Sequence, residues 1–170
     1  PNHIASHDRA RGFQDALQEA GIDPETAPME QGYFTYRSGL TATERLLARG
    51  DPPSAIFASN DDMAAAAISV AHRRGLLVPG DLSIAGFDDT SLATTVWPEL
   101  TTVKQPISAM AEAALELLLA DLRNRRSETE RRFAERVLDH ALIIRESTAE
   151  PAAYWLEKGR SQPRPARALS

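Results

Sequence analysis

The chain has 170 residues, of which 42% are hydrophobic and 25% charged, with a formal net charge of -5 and no cysteine. This length and composition are typical of about one domain of a soluble globular protein. The acidic balance argues against a nucleic-acid-binding surface in these residues, and the lack of cysteine excludes disulfides and fits a cytoplasmic protein. No apolar run approaches the roughly 20 residues needed to cross a bilayer, so we expect no membrane partner.

The first predicted elements are a helix, a loop, a strand and a second helix. Ser6 is a suitable cap for a helix whose apolar residues follow helical spacing until Gly21 ends it. A loop over 22–28 leads to a predicted short strand over 29–34, and the next helix is predicted over 38–49.

The stretch over 53–105 carries the clearest pattern. The apolar run 55–58 has the length of a strand buried on both faces of a parallel sheet. Polar, cap-forming residues over 59–62 then break the run, and a helix is predicted over 63–74. Of these polar residues we expect Asp61 to cap the helix, which leaves the donor and acceptor of Asn60 for a ligand hydroxyl.

A second strand is predicted over 82–87, with Asp88 and Asp89 at its carboxyl end. In open α/β sheets, ligands bind outside the carboxyl ends of the strands. Asn60 and Asp88 are therefore placed, by position alone, where a small molecule would bind.

The remaining pattern continues the alternation of strands and helices. Further elements are predicted as a strand over 100–105, a helix over 108–123, a charged loop over 124–132, strands over 133–138 and 141–145, and a flexible tail over 149–170.

Metal and catalytic motifs are absent from the sequence. The four histidines, His3, His7, His72 and His140, are scattered, and no nucleotide-binding or nucleophile-elbow motif occurs. The adjacent acids at 61–62 and 88–89 could hold a cation such as Mg²⁺ in a phosphoryl-transfer enzyme, but no nucleotide motif accompanies them. We therefore expect neither a metal nor a cofactor nor enzymatic activity.

Four strings occur in a characteristic order: PSAIFASNDDMAAAAI, LVPGDLSIAGFDD, PELTTVKQP and LIIREST. Together they resemble the effector-binding region of the LacI/GalR family of bacterial transcription regulators, over roughly 1–148. The resemblance implies a periplasmic-binding-protein-like α/β fold with a doubly wound, mostly parallel sheet and two lobes. It assigns 1–106 to the C-terminal lobe without its first strand, 107–138 to a returning segment of the N-terminal lobe, and 139–148 to a final strand back in the C-terminal lobe.

The resemblance also implies two further site residues. Arg9, in SHDRARGFQDALQEAG, matches the family position that holds effector hydroxyls or a carboxylate, whereas the sequence alone favours an Arg9 that is solvated or paired with Asp8 or Asp15. Phe34, five residues before Gly39, matches the position of an aromatic that stacks on the effector. An ordinary core Phe34, or a role for the neighbouring Tyr33 or Tyr36, are the alternatives.

The alanine run in the helix after Asn60 permits close approach of another helix. The family uses this region in its dimer contact, so the resemblance implies a homodimer contact at Met63, Ala64 and Ala67. The alternative is that alanine simply has the best helix propensity.

The predicted function is therefore effector binding and dimerisation in a LacI-type regulator. A sugar or polyol would bind between Arg9, Phe34, Asn60 and Asp88, and would change the operator affinity of a helix-turn-helix domain outside this sequence. The alternative is the solute-binding protein of a sugar transporter. Because the family's first lobe and an inner strand would precede Pro1, we expect these residues to be a piece of a longer regulator, or to be completed by a second chain, and the sheet to have an unpaired edge.

Overall fold

A four-stranded sheet lies at the centre of the computed structural model, which describes residues 4–124 and 135–150. In chain order the elements are α1 (Ile4–Glu19), α2 (Tyr36–Leu47), β1 (Ala55–Phe57), α3 (Asp61–Arg73), β2 (Ser83–Asp88), β3 (Thr101–Lys104), α4 (Ile107–Asn124) and β4 (Ala141–Ile143), with 3-10 turns at Pro24–Thr26 and Ser91–Thr94. The sheet order is β1-β2-β3-β4, in which the first three strands are parallel and β4 is antiparallel to β3. The predicted α/β class with a mostly parallel sheet is confirmed.

The hydrophobic core lies between the sheet and one layer formed by α2 and α3. Its large side chains come from α2, β1, α3, β2 and the segments beside β2 and β3: Leu46, Leu47, Ile56, Ile68, Val70, Leu82, Ile84 and Leu100. The predicted strands and helices of this region are therefore confirmed to within a few residues.

Small residues allow α2 and α3 to pack closely. A Cβ added at Gly39 would lie 2.7 Å from Cα of Met63 and 2.9 Å from Cβ of Ala66. On the same helix, Ala64 and Ala67 are 0% and 1% exposed. The helix that the alanine run approaches is thus α2 of the same chain. Two of the three residues predicted for the dimer contact lie in the core, and the third, Met63, is half-buried against the Gly39 region.

Two predicted strands are not formed. Residues 29–33 have no regular secondary structure, because β1 pairs only with β2 and these residues have no strand to pair with among the described residues. Residues 135–138 are also irregular, whereas 133 and 134 lie outside the described residues. The predicted loop over 124–132 and the tail over 149–170 fall almost wholly outside them too.

The outer edge of β1 borders a groove of about 960 Å³ whose walls come from α1, α2 and β1. No residue of α1 is buried, and the ring of Phe13 crosses the groove to stack on Phe57 with a centroid separation of 6.1 Å. Among the described residues, nothing pairs with the outer edge of β1. The inner strand implied by the family resemblance stays a prediction.

Helix α4 leaves most of its apolar side chains exposed. The exposed large residues are Ile107, Met110, Leu115, Leu118, Leu119 and Leu122. Assignment of this helix to a second lobe stays a prediction. None of the described helices combines the length and the hydropathy needed to cross a bilayer.

The close packing of α2 and α3 predicts a specific cost for one added methyl group. We expect Gly39→Ala to lower the free energy of unfolding by about 1–3 kcal/mol, because the new Cβ would press against the backbone at Met63. Gly12→Ala is the matched control, since a Cβ on that residue in α1 meets nothing within 4 Å and improves helix propensity. Urea denaturation of the two variants checks this, and equal stabilities would contradict it.

Candidate functional site

The side chains of Arg9, Phe34, Asn60 and Asp88 come together at the carboxyl ends of β1 and β2. Asn60 lies three residues beyond β1, and Asp88 is the last residue of β2. Arg9 reaches them from α1: its Nη1 donates to the carbonyl oxygen of Ser59 at 2.5 Å, and its Nη2 lies 3.5 Å from Oδ1 of Asp88. The placement of Asn60 and Asp88 at one sheet edge follows the prediction, while their contact with a ligand stays untested.

Arg9 is held between aromatic rings and is not a solvated side chain. Its guanidinium carbon lies 3.8 Å from the ring centroid of Phe87 and 5.8 Å from that of Phe34. Cation-π contacts of this kind stabilise by about 0.5–2 kcal/mol each. The carboxylate of Asp8 instead accepts from Arg11 at 3.0 Å. Arg9 therefore presents a flat, oriented cation beside Asp88.

Asp88 is half-buried, and one of its two carboxylate oxygens is already in contact with other side chains. Oδ1 accepts a hydrogen bond from Nε2 of Gln105 at 2.6 Å as well as the longer contact from Arg9. Burial raises the pKa of Asp88 above its ordinary value, although the Gln105 hydrogen bond and the charge of Arg9 lower it. Oδ2 of Asp88 makes no hydrogen bond with the described residues, so one acceptor of the carboxylate is unused within them.

Asn60, and not Asp61, is the N-cap of α3. Its Oδ1 accepts from the backbone N–H of Met63 at 3.0 Å, and its Nδ2 donates to the carbonyl oxygen of Phe34 at 3.1 Å. The residue is 6% exposed. The expectation that Asp61 caps the helix is wrong, because Asp61 points into the core. One donor and one acceptor of Asn60 are already hydrogen-bonded to the backbone.

Phe34 occupies an unusual backbone conformation. Its φ is 59°, in the left-handed region that bulky residues rarely adopt, and the hydrogen bond from Asn60 holds its carbonyl. The alternative aromatics are placed elsewhere: Tyr33 is exposed, and the hydroxyl of Tyr36 donates to Oγ of Ser69 at 2.7 Å. Phe34 is thus the aromatic residue of this segment that lies beside Arg9.

Sequence reasoning missed two neighbours of the site. Phe87 supplies the ring under Arg9, and Gln105 binds Asp88. Asp89 turns away from the site, where Oδ1 accepts from Nη2 of Arg145 at 2.6 Å and Oδ2 lies 3.7 Å from Nζ of Lys104. A signal for Gln105 was available, because it directly follows β3 at the same sheet edge. The described residues contain no group of three potential metal ligands.

Comparisons with known proteins identify the family to which the chain belongs. The sequence profile described as a periplasmic binding protein-like domain matches residues 2–148. The HTH-type transcriptional repressor CytR of Escherichia coli strain K12 is 39% identical over 142 residues, which cover 84% of this chain and 40% of CytR. The chain therefore spans less than half the length of that relative.

Solved structures show the same similarity. A LacI family transcriptional regulator from Mycobacterium smegmatis superimposes with a TM-score of 0.77 at 32% identity, covering 88% of this chain and 55% of the other. The transcriptional regulator CelR, in its complex with cellobiose, superimposes with a TM-score of 0.75 at 32% identity, covering 86% and 44%. These relatives are named as regulators and not as enzymes. The chain belongs to the LacI/GalR family of transcription regulators and forms part of its periplasmic-binding-protein-like, effector-binding region.

Proposed function

We propose that this chain binds a small polar effector, a sugar or polyol, against Arg9, Phe34, Asn60 and Asp88, with Gln105 as an additional wall residue. The observation that carries the proposal is the carboxylate of Asp88, of which one oxygen is fixed by Gln105 and the other is left to accept. A hydroxyl group both donates and accepts, so neighbouring hydroxyls can bind Asp88 as donors and Arg9 as acceptors.

The aromatic residues fit the same ligand class. The ring of Phe34 lies 5.8 Å from the Arg9 guanidinium and offers an apolar face to the C–H side of a sugar ring. Asn60 contributes by holding Phe34 and retains a second amide hydrogen for the ligand. The cellobiose complex of the similar regulator CelR supports a saccharide as the class.

In the whole protein, the effector would act on DNA at a distance. A cytoplasmic regulator of this family binds operator DNA through a helix-turn-helix domain, and the effector changes operator affinity by binding two lobe arrangements unequally. The alternative of a transporter's solute-binding protein shares the pocket but is not favoured, because the similar proteins are named as transcription regulators. A catalytic role would require metal-dependent turnover that is lost in Asp88→Ala.

We propose that the homodimer contact lies on the outer side of α3 and the turn before β3. The indole of Trp97 is 74% exposed and its ring centroid lies 5.7 Å from that of His72, on α3. A large exposed aromatic beside a helix is the type of side chain that anchors protein interfaces. This surface replaces Ala64 and Ala67, which the chain's own core covers.

The ligand proposal is tested by thermal melting of the chain with sugars, polyols and nucleosides. A ligand at 100 times its Kd adds about 2.7 kcal/mol to the stability of the folded state, so a binder raises the Tm. We expect Asp88→Asn to weaken binding of that compound more than tenfold, because the amide offers a donor where the ligand hydroxyl needs an acceptor. Asp139→Asn, at an exposed position, is the control. An affinity of Asp88→Asn within twofold of the unaltered chain would show that the site is misassigned.

The raised pKa of Asp88 also predicts a pH effect without ligand. Between the ordinary and the raised pKa, the folded chain binds more protons than the unfolded chain, so the contribution of Asp88 to stability is present at low pH and lost as the pH rises through the raised pKa. Asp88→Asn lacks this loss. We expect the Tm of Asp88→Asn, relative to the unaltered chain, to be higher at pH 7 than at pH 4, as followed by scanning fluorimetry. A difference that is constant or reversed would contradict burial as the dominant cause.

The dimer proposal is tested by sedimentation. We expect Trp97→Ala to raise the dimer dissociation constant at least tenfold, because the indole is the largest exposed side chain of the proposed contact. Tyr33→Ala removes another exposed aromatic, from the segment before α2, and should leave the dissociation constant unchanged. Equal effects of the two substitutions, or a monomer at every concentration, would exclude this contact.

A further inference from the structure

Asp61 is a buried carboxylate to which the proposed function gives no role. It is 1% exposed, and it accepts three hydrogen bonds: from Oγ1 of Thr102 at 2.6 Å, from the backbone N–H of Thr90 at 2.7 Å, and from Oγ1 of Thr90 at 3.0 Å. Among the described residues it forms no ion pair. A buried carboxylate without a cation is costly, and its hydrogen bonds must compensate for the lost hydration.

The carboxylate of Asp61 contacts both ends of one short segment. At the first end, a Cβ added to Gly86 would lie 2.6 Å from Oδ1, so β2 passes directly beneath the carboxylate. At the other end, Oδ2 binds both donors of Thr90. Phe87, Asp88 and Asp89 lie between these two ends. Each of the three contacts another part of the candidate site or its surroundings.

The segment between the two ends has an unfavourable backbone. Asp88 and Asp89 have φ values of 115° and 54°, where side chains other than glycine are strained. Such conformations persist only where the surrounding structure holds them, and they cluster at functional sites. Here the strained residues are followed immediately by Thr90, whose backbone N–H is fixed by Asp61.

The strained backbone sends two adjacent carboxylates in different directions. Asp88 binds Gln105 and contacts Arg9, whereas Asp89 binds Arg145. If the segment relaxed to ordinary φ values, these carboxylates would leave their partners.

We propose that Asp61 is a positioning residue of the candidate site: by holding Thr90, it maintains the left-handed backbone at Asp88 and Asp89 and thereby aims the Asp88 carboxylate at the ligand. The inference deepens the proposed function and depends on it for the ligand. The geometry at Asp88 is independent of any ligand. The charge of Asp61 is among the causes that raise the pKa of Asp88, which agrees with the closeness of the two groups.

The test compares Asp61→Ala with Thr102→Val in the 170-residue chain by NMR, without ligand. Asp61→Ala removes both acceptor oxygens, whereas an asparagine could still accept from Thr90 through its amide oxygen and donate to Thr102. Thr102→Val removes a hydrogen bond to the same carboxylate from the β3 side and leaves Thr90 bound, so it controls for general loss of stability. Two signals are followed: the strong intraresidue amide-to-Hα NOE of a left-handed Asp89, and the shift of the Gln105 side-chain amide bound to Asp88.

We expect Asp61→Ala to lose the Asp89 NOE and to move the Gln105 amide to the shift of a solvated amide, while Thr102→Val keeps both signals although its Tm falls. Retention of both signals in Asp61→Ala, or their equal loss in Thr102→Val, would overturn the proposal. If Asp61→Ala does not fold, Asp61→Leu fills the space of the carboxylate and also offers no acceptor to Thr90. Loss of the two signals in that variant supports the proposal and unchanged signals overturn it. Because no ligand is added, this result and the outcome of the ligand panel are independent.

Discussion

The close approach of α3 to both α2 and β2 is the constraint on which the site depends. On one side Gly39 lies against the backbone of α3, and on the other Gly86 lies beneath Asp61 and Ala64. Small residues at these contacts bring the amino end of α3 to the carboxyl end of the sheet. Asn60 and Asp61 stand at that helix end, so their side chains can reach Phe34 and Thr90 from fixed positions. Packing density and site geometry are therefore set by the same contacts.

The parts of the fold that were predicted correctly are those that a local sequence pattern identifies. The apolar run at β1, the helix that follows it and the acids at the end of β2 were found because periodicity, turn residues and the carboxyl-end rule each identify them. The strand over 29–34 was wrong because strand formation depends on a pairing partner, which no local pattern reveals. Asn60 and Asp61 are both good caps, and the choice between them is made by Thr90 and Thr102, far along the chain.

The residues of the candidate site also differ in whether a local sequence pattern predicts them. Asn60 and Asp88 follow from their positions after strands, while Arg9 and Phe34 were reached through a family resemblance, because nothing in a single helix or loop predicts that they meet. Phe87 was missed because an aromatic near a strand end is normally a core residue, and only the structure brings it under Arg9 at 3.8 Å. For the alanine run, the sequence correctly indicated that another helix packs closely against it. The sequence did not reveal that this helix is α2 of the same chain.

The two walls of the site differ in how they are built. Asp88 lies at the end of a strand that pairs with β3 and is anchored through buried groups, whereas Phe34 lies on a segment without regular structure that a few side-chain contacts hold. Substitutions in the first wall disturb the core, but those over 29–34 change mainly what the pocket presents. In the proposed site, the two walls therefore tolerate substitution unequally. A changed side chain on the irregular wall alters the pocket at less cost to the core than a change at the anchored acid.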